Sequence, residues 1–186
     1  TRWAEDWQAN PLSRFEATLS RIRTLDADTA EARLAIQWTQ RDQNSSGGAI
    51  VSVTFHRQDE GWLLGGERWQ VIETPNIHLY YFENEISDNR RQAQAVAEYL
   101  PAVYGRLTNE FDFTPDQTAH IKMYEKASTL QTWTRMSIPL ITVWNEPGEA
   151  IKITLGPQNT PPRDELVARE YARFLLYAMA DGATAG

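Results

Sequence analysis

The sequence predicts an α+β protein: an antiparallel β-meander followed by a mixed-sheet lobe with two principal helices. Three observations predict it. Apolar and polar residues alternate with period two through the first third of the chain, the mark of half-buried strands. Two later segments carry apolar residues at three/four spacing, the mark of amphipathic helices. Short β-type runs lie between those helices.

Trp3 to Asn10 reads as a short helix stopped by Pro11. Phe15, Ala17 and Leu19 then alternate with Glu16, Thr18 and Ser20 as a first strand. Ala30, Ala32, Leu34, Ile36 and Trp38 make the apolar face of a second, and Val51, Val53 and Phe55 that of a third. The connections are turn-rich: Asp26-Ala27-Asp28, Asn44-Ser45-Ser46-Gly47-Gly48 and Asp59-Glu60-Gly61. A fourth strand starts at Trp62, and Gly65-Gly66 suggests a bulge or bend before Trp69 and Val71.

Glu73-Thr74-Pro75-Asn76 marks the boundary between a first domain, 1–74, and a second, 75–186. Ile77 to Phe82 is a continuous apolar-aromatic run, as expected of a strand buried on both faces. The longest helix follows, with Ser87 or Asp88 as N-cap. Its stripe is Ala93, Val96, Ala97, Leu100, Val103, Tyr104, Leu107 and Phe111, with a kink expected at Pro101. Ala119 to Tyr124 is a strand, and Lys126 to Arg135 an irregular or helical connection. Ile138–Trp144 and Ala150–Leu155 are two strands around an Asn145-Glu146-Pro147-Gly148 turn. Pro161-Pro162 opens the terminal helix, whose buried stripe is Val167, Tyr171, Phe174, Leu175 and Ala178.

At 186 residues the chain can bury one good core or two small ones. A net charge of -7 with scattered arginines argues against nucleic acid, which needs clustered Lys and Arg. No apolar run is long enough for a membrane span. Without cysteine there is no disulfide, thiolate metal site or thiol nucleophile. The three histidines, His56, His78 and His120, each fall in or beside a β-type run and none lies four residues from another. They read as strand residues, so neither a metal nor another cofactor is expected. The chain opens on Thr1, as expected of a piece of a longer protein.

The most informative stretch is Arg169-Glu170-Tyr171-Ala172-Arg173 in the terminal helix. With histidine at both arginines it would read His-Glu-x-x-His, in which two imidazoles on one helix face hold zinc and the glutamate activates its water. Arginine offers no lone pair and cannot be deprotonated in proteins, so it repels the ion that histidine would hold. Three roles are open to the cluster: an ion network in a former metal site, a site for an anionic group, or a solvated charged helix face. The solvated face is the plainest, since Glu165 and Arg169 stand four apart in the favourable acid-before-base order.

Two resemblances follow from these runs. Residues 13 to 71, with Glu60-Gly61-Trp62 through Trp69 as a closing hairpin, resemble the sheet half of a nuclear-transport-factor-like or cystatin-like cone domain. Residues 76 to 181 resemble the amino-terminal lobe of gluzincin-type (peptidase MA-like) zinc proteases. Ile77-His78-Leu79-Tyr80-Tyr81-Phe82 is similar to that family's opening strand, Ala95–Leu107 to its long helix, and His120-Ile121-Lys122-Met123-Tyr124 to its second strand. Gly148 through Ile153 is similar to its edge strand, and Leu166–Phe174 to its signature helix. The resemblance places Arg169 and Arg173 at ligand positions and Glu170 at the general-base position. It also implies a third ligand, a glutamate on a following helix, and no glutamate follows Glu170 here. The chain therefore reads as a degenerate zincin-like lobe without catalytic residues. The family also implies an extracytoplasmic or membrane-anchored bacterial setting.

The function expected is a non-catalytic binding or scaffolding module with an unknown protein or carbohydrate partner. A carbohydrate-binding module using Trp62, Trp69 and Trp144 as stacking platforms is one alternative, although strand aromatics more often belong to the core, and a piece of a larger peptidase-like protein is another. An enzyme of another kind, with acid/base pairs drawn from Glu146, Glu149, Glu165 and Glu170, is a further one.

Overall fold

The computed structural model describes residues 2–41, 46–59, 61–82, 88–138, 140–154 and 163–184. It is an α+β protein with one antiparallel and one mixed sheet. The chain divides into two compact units: Thr1–Arg68 with Ala127–Ile141, and Trp69–Lys126 with Thr142–Gly186.

The first unit holds α1 (Arg2–Ala9), β1 (Leu12–Thr24), β2 (Thr29–Gln40), β3 (Ser46–Gln58) and β4 (Gly61–Glu67), in sheet order β1-β2-β3-β4. On β2 the predicted alternation is realised: Ala30, Ala32, Leu34, Ile36 and Trp38 are buried, facing Ala49, Val51 and Val53 of β3. β1 is exposed almost throughout, with Phe15 at 39% and Leu19 at 43%, because it is an edge strand covered on its apolar face only in part. Its register shifts between Ser20 and Arg23, where Arg21 takes a φ of 51°, a bulge that twists the open edge.

Ser46, Gly47 and Gly48, expected in a turn, belong to β3; residues 42–45 lie outside the described set. Gly47 stands opposite Trp38, whose ring occupies the space that a Cβ would take. The glycine is needed for close approach, and it lets the largest core side chain lie flat across the sheet. The bulge expected at Gly65-Gly66 is present: pairing shifts between Thr54 and Phe55, and Gly66 has a φ of 104°.

Segment Ala127–Ile141, read from the sequence as part of the second domain, packs with the first unit. It carries α3 (Ala127–Thr132), which rests on β3. Polar side chains tie it down. Trp38 Nε1 donates to Thr132 Oγ1 at 3.2 Å, Gln40 Nε2 to the Met136 carbonyl at 2.9 Å, and the Ser137 hydroxyl to buried Asp6 of α1. Among the described residues of the expected strand Ile138–Trp144, only Val143–Trp144 forms, as β8.

The second unit has the sheet order β5-β6-β7-β9-β8, from β5 (Gln70–Glu73), β6 (Ile77–Tyr81), β7 (Ala119–Tyr124), β8 and β9 (Ile151–Thr154). β6, β7 and β9 run parallel, and both edge strands are antiparallel to their neighbours. The boundary therefore falls at Arg68/Trp69, and Thr74-Pro75-Asn76 is the turn of the β5–β6 hairpin. There the Thr74 hydroxyl donates to the Ile77 carbonyl at 2.7 Å.

α2 (Asn89–Phe111) and α4 (Arg163–Thr184) close one core with the sheet. Val96, Leu100 and Val103 of α2 meet Ile77, Leu79, Ile121, Ile151 and Ile153, together with Val167, Tyr171 and Leu175 of α4. β6 is not buried on both faces. Ile77, Leu79 and Tyr81 are buried while His78 and Tyr80 are half-buried, because α2 and α4 pack on the face that carries Ile77, Leu79 and Tyr81. α2 runs through exposed Pro101 as one helix. Asp88 stands at its N-cap without a side-chain capping bond and pairs with Arg91 instead; Ser87 lies outside the described residues. Asp112 ends the helix in the left-handed conformation. Pro161-Pro162 also lies outside the described residues.

Gly47→Val is expected to destabilise the protein by about 1–3 kcal/mol, because the branched side chain overpacks against Trp38. Urea unfolding followed by tryptophan fluorescence checks it; an unchanged midpoint would contradict the packing described.

Candidate functional site

α4 places Arg169 and Arg173 on its exposed stripe, with side chains 54% and 48% exposed. Glu170, one residue on from Arg169, turns inward and is 1% exposed. The solvated-face reading therefore fails for the residue at the centre of the motif. The cause is helical geometry: the apolar stripe of Val167, Tyr171 and Leu175 faces the sheet, and position 170 falls at its margin.

A buried carboxylate has to be compensated. Arg169 Nε donates to Glu170 Oε1 at 3.1 Å, and an Arg173 terminal nitrogen stands 3.3 Å from Oε2. Asn145, buried at the turn after β8, gives its side-chain amide to the Glu170 carbonyl at 2.8 Å and to Oε2 at 3.2 Å. The Tyr177 hydroxyl, further along α4, reaches the Asn145 carbonyl at 3.5 Å. Both carboxylate oxygens are thus engaged, and one asparagine links the β8–β9 turn to the helix. Arg169 turns to Glu170 and forms no ion pair with Glu165. Sequence reasoning took Asn145 as a turn residue. Its spacing of 25 residues from Glu170 carries no local signal.

The arrangement can neutralise and hold a carboxylate, and two guanidiniums cannot ligate a metal. Among the described residues no three His, Asp or Glu side chains gather into a metal site. Of the other candidate carboxylates, Glu149 accepts from Trp144 Nε1 at 3.2 Å and from Lys152 Nζ at 3.3 Å. Exposed Glu165 lies with Asp164 and Arg106 on a shallow groove of about 240 Å³ between α2 and α4, and Glu146 is half-buried at the β8–β9 turn. Tyr171 is fully buried, and desolvation followed by the neighbouring Tyr104 raises its pKa above the usual phenol range.

The three tryptophans do not make one platform. Trp62 is 44% exposed on β4 of the first unit. Trp69 is stacked on Phe82 with centroids 4.0 Å apart and lies under Lys122 Nζ at 5.1 Å. Trp144 sits on edge strand β8, its indole nitrogen committed to Glu149. His56 is exposed on β3, its ring close over Gly65. His78 and His120, distant in sequence, come together in register on β6 and β7, with ring centroids 5.4 Å apart. The Tyr80 hydroxyl is 2.9 Å from His120 Nδ1. Burial, then His78 and Lys122, hold the His120 pKa below that of an ordinary histidine.

Replacing both arginines (Arg169→Gln with Arg173→Gln) is expected to cost about 3 kcal/mol, because a buried charge is left uncompensated. Glu170→Gln keeps an acceptor for Asn145 and leaves only half-exposed cations, so about 1 kcal/mol is expected. Urea unfolding of the two variants checks the order; equal losses would contradict the geometry. In comparisons with known proteins, no family model, no curated protein and no solved structure matches this chain.

Proposed function

We propose that the chain is a non-catalytic binding or scaffolding protein whose second unit is a degenerate zinc-peptidase-like lobe. The observation that carries the reading is the state of Glu170. It occupies the general-base position of the motif that the lobe resembles, and its carboxylate is buried under Arg169, Arg173 and Asn145. A general base has to reach a reacting proton or a metal-bound water with a free lone pair. Here the oxygens are spent on guanidinium and amide donors. Arginine at both ligand positions supports the same conclusion.

The partner on this reading is a protein, and the arginine–glutamate cluster preserves the lobe's shape in place of a metal. The carbohydrate alternative rests on Trp62, Trp69 and Trp144. It is the weaker reading, because Trp69 and Trp144 are committed within the second unit and Trp62 stands in the first. No helix among the described residues is long and apolar enough to cross a membrane. An extracytoplasmic or membrane-anchored setting remains part of the proposal through the resemblance alone.

The reading predicts no Glu170-dependent peptide hydrolysis, with or without added zinc. A fluorogenic peptide library assayed against the wild type and Glu170→Gln tests it. Hydrolysis by the wild type that the variant loses would overturn it.

A further inference from the structure

We infer that His78 and His120 form a binding site for a borderline divalent transition-metal ion such as Zn²⁺, on the sheet face opposite α2 and α4. The site is independent of the α4 cluster and of the function proposed for it.

The parallel pairing of β6 and β7 sets His78 directly against His120. Both alternate with core residues, Ile77 and Leu79 on one strand and Ala119 and Ile121 on the other, so both imidazoles project from the same face. Their ring centroids are 5.4 Å apart, with planes 77° to each other. Two imidazoles sharing one tetrahedral zinc at ordinary Zn–N lengths hold their centroids about 5.2 Å apart. The separation already present is therefore that of a two-imidazole ion site, and the tilted rings are not stacked face to face.

Tyr80 supplies the outer partner that such a site needs. Its hydroxyl engages His120 Nδ1 at 2.9 Å, which orients the ring and leaves Nε2 for the ion. Among the described residues neither nitrogen of His78 is committed to a hydrogen bond. Glu73 stands directly opposite His78 on β5, so carboxylate, imidazole and imidazole form a row across three strands. Among the described residues no three donors close around a point, so two imidazoles hold the ion and water or Glu73 completes its shell. The nearby cation, Lys122, has its ammonium over the Trp69 ring. Imidazole donors select zinc, nickel or copper over magnesium and calcium, which prefer oxygen.

Calorimetric titration of the full chain with Zn²⁺ tests the inference. Saturable one-to-one binding is expected for the wild type, and a loss of at least tenfold in affinity for His78→Ala and for His120→Ala. Tyr80→Phe, which removes only the outer partner, is expected to weaken binding by about tenfold. Glu170→Gln and His56→Ala are expected to bind as the wild type does. Absence of saturable binding in the wild type, or undiminished affinity in both His78→Ala and His120→Ala, would overturn the site. Circular dichroism checks that these variants keep the fold, as expected with His120 exposed and His78 half-buried.

Discussion

A carboxylate taken almost wholly out of water has to find its compensation inside the protein, and Glu170 is the place where this chain meets that demand. Its neighbours on α4 supply two cations, and Asn145 supplies an amide from the β8–β9 turn. The same asparagine side chain bonds the Glu170 carbonyl, and Tyr177 returns to the Asn145 carbonyl. Helix, turn and edge strand β8 are thereby held in one arrangement by polar contacts, next to the apolar seam of Val167, Tyr171 and Leu175. The function proposed above rests on this: a glutamate held as an anchor has no free lone pair to offer as a base.

Both units solve the same problem, a sheet with one apolar face, in different ways. In the second unit two amphipathic helices cover the face. In the first, a short polar-rich segment does part of the work through Thr132, Met136 and Ser137, and edge strand β1 stays largely exposed. The second unit's opposite face carries residues that lie outside the core under α2 and α4, among them His78, Tyr80 and His120.

Much of this was legible in the sequence. Period two on β2 and three/four spacing on α2 and α4 located their buried faces, since burial imposes those periods directly. Other features were not legible, for physical reasons. Gly47 looks like a turn residue unless the Trp38 ring opposite it is known, and Gly48 unless the Ile36 carbonyl beside it is. The run Ile77–Phe82 looks buried on both faces because Tyr80 and Phe82 are aromatic wherever they point. Buried Thr132, Gln131 and Thr129 give α3 no apolar stripe, so its attachment to the first unit left no periodic trace. The candidate site was half legible. The motif drew attention to positions 169, 170 and 173, but which of the three is buried depends on how α4 lies against its sheet. The pairing of His78 with His120 depends on a parallel register that connects strands through a long helix.

The central claim is that Glu170 is committed to a desolvated ion cluster. A double-mutant cycle between Glu170 and Arg173 (Glu170→Gln, Arg173→Gln and the pair), read by urea unfolding, tests it most directly. Exposed ion pairs couple by at most about 1 kcal/mol. The account predicts a coupling energy clearly above that limit, and a value near zero would contradict it by returning Glu170 to the solvated helix face.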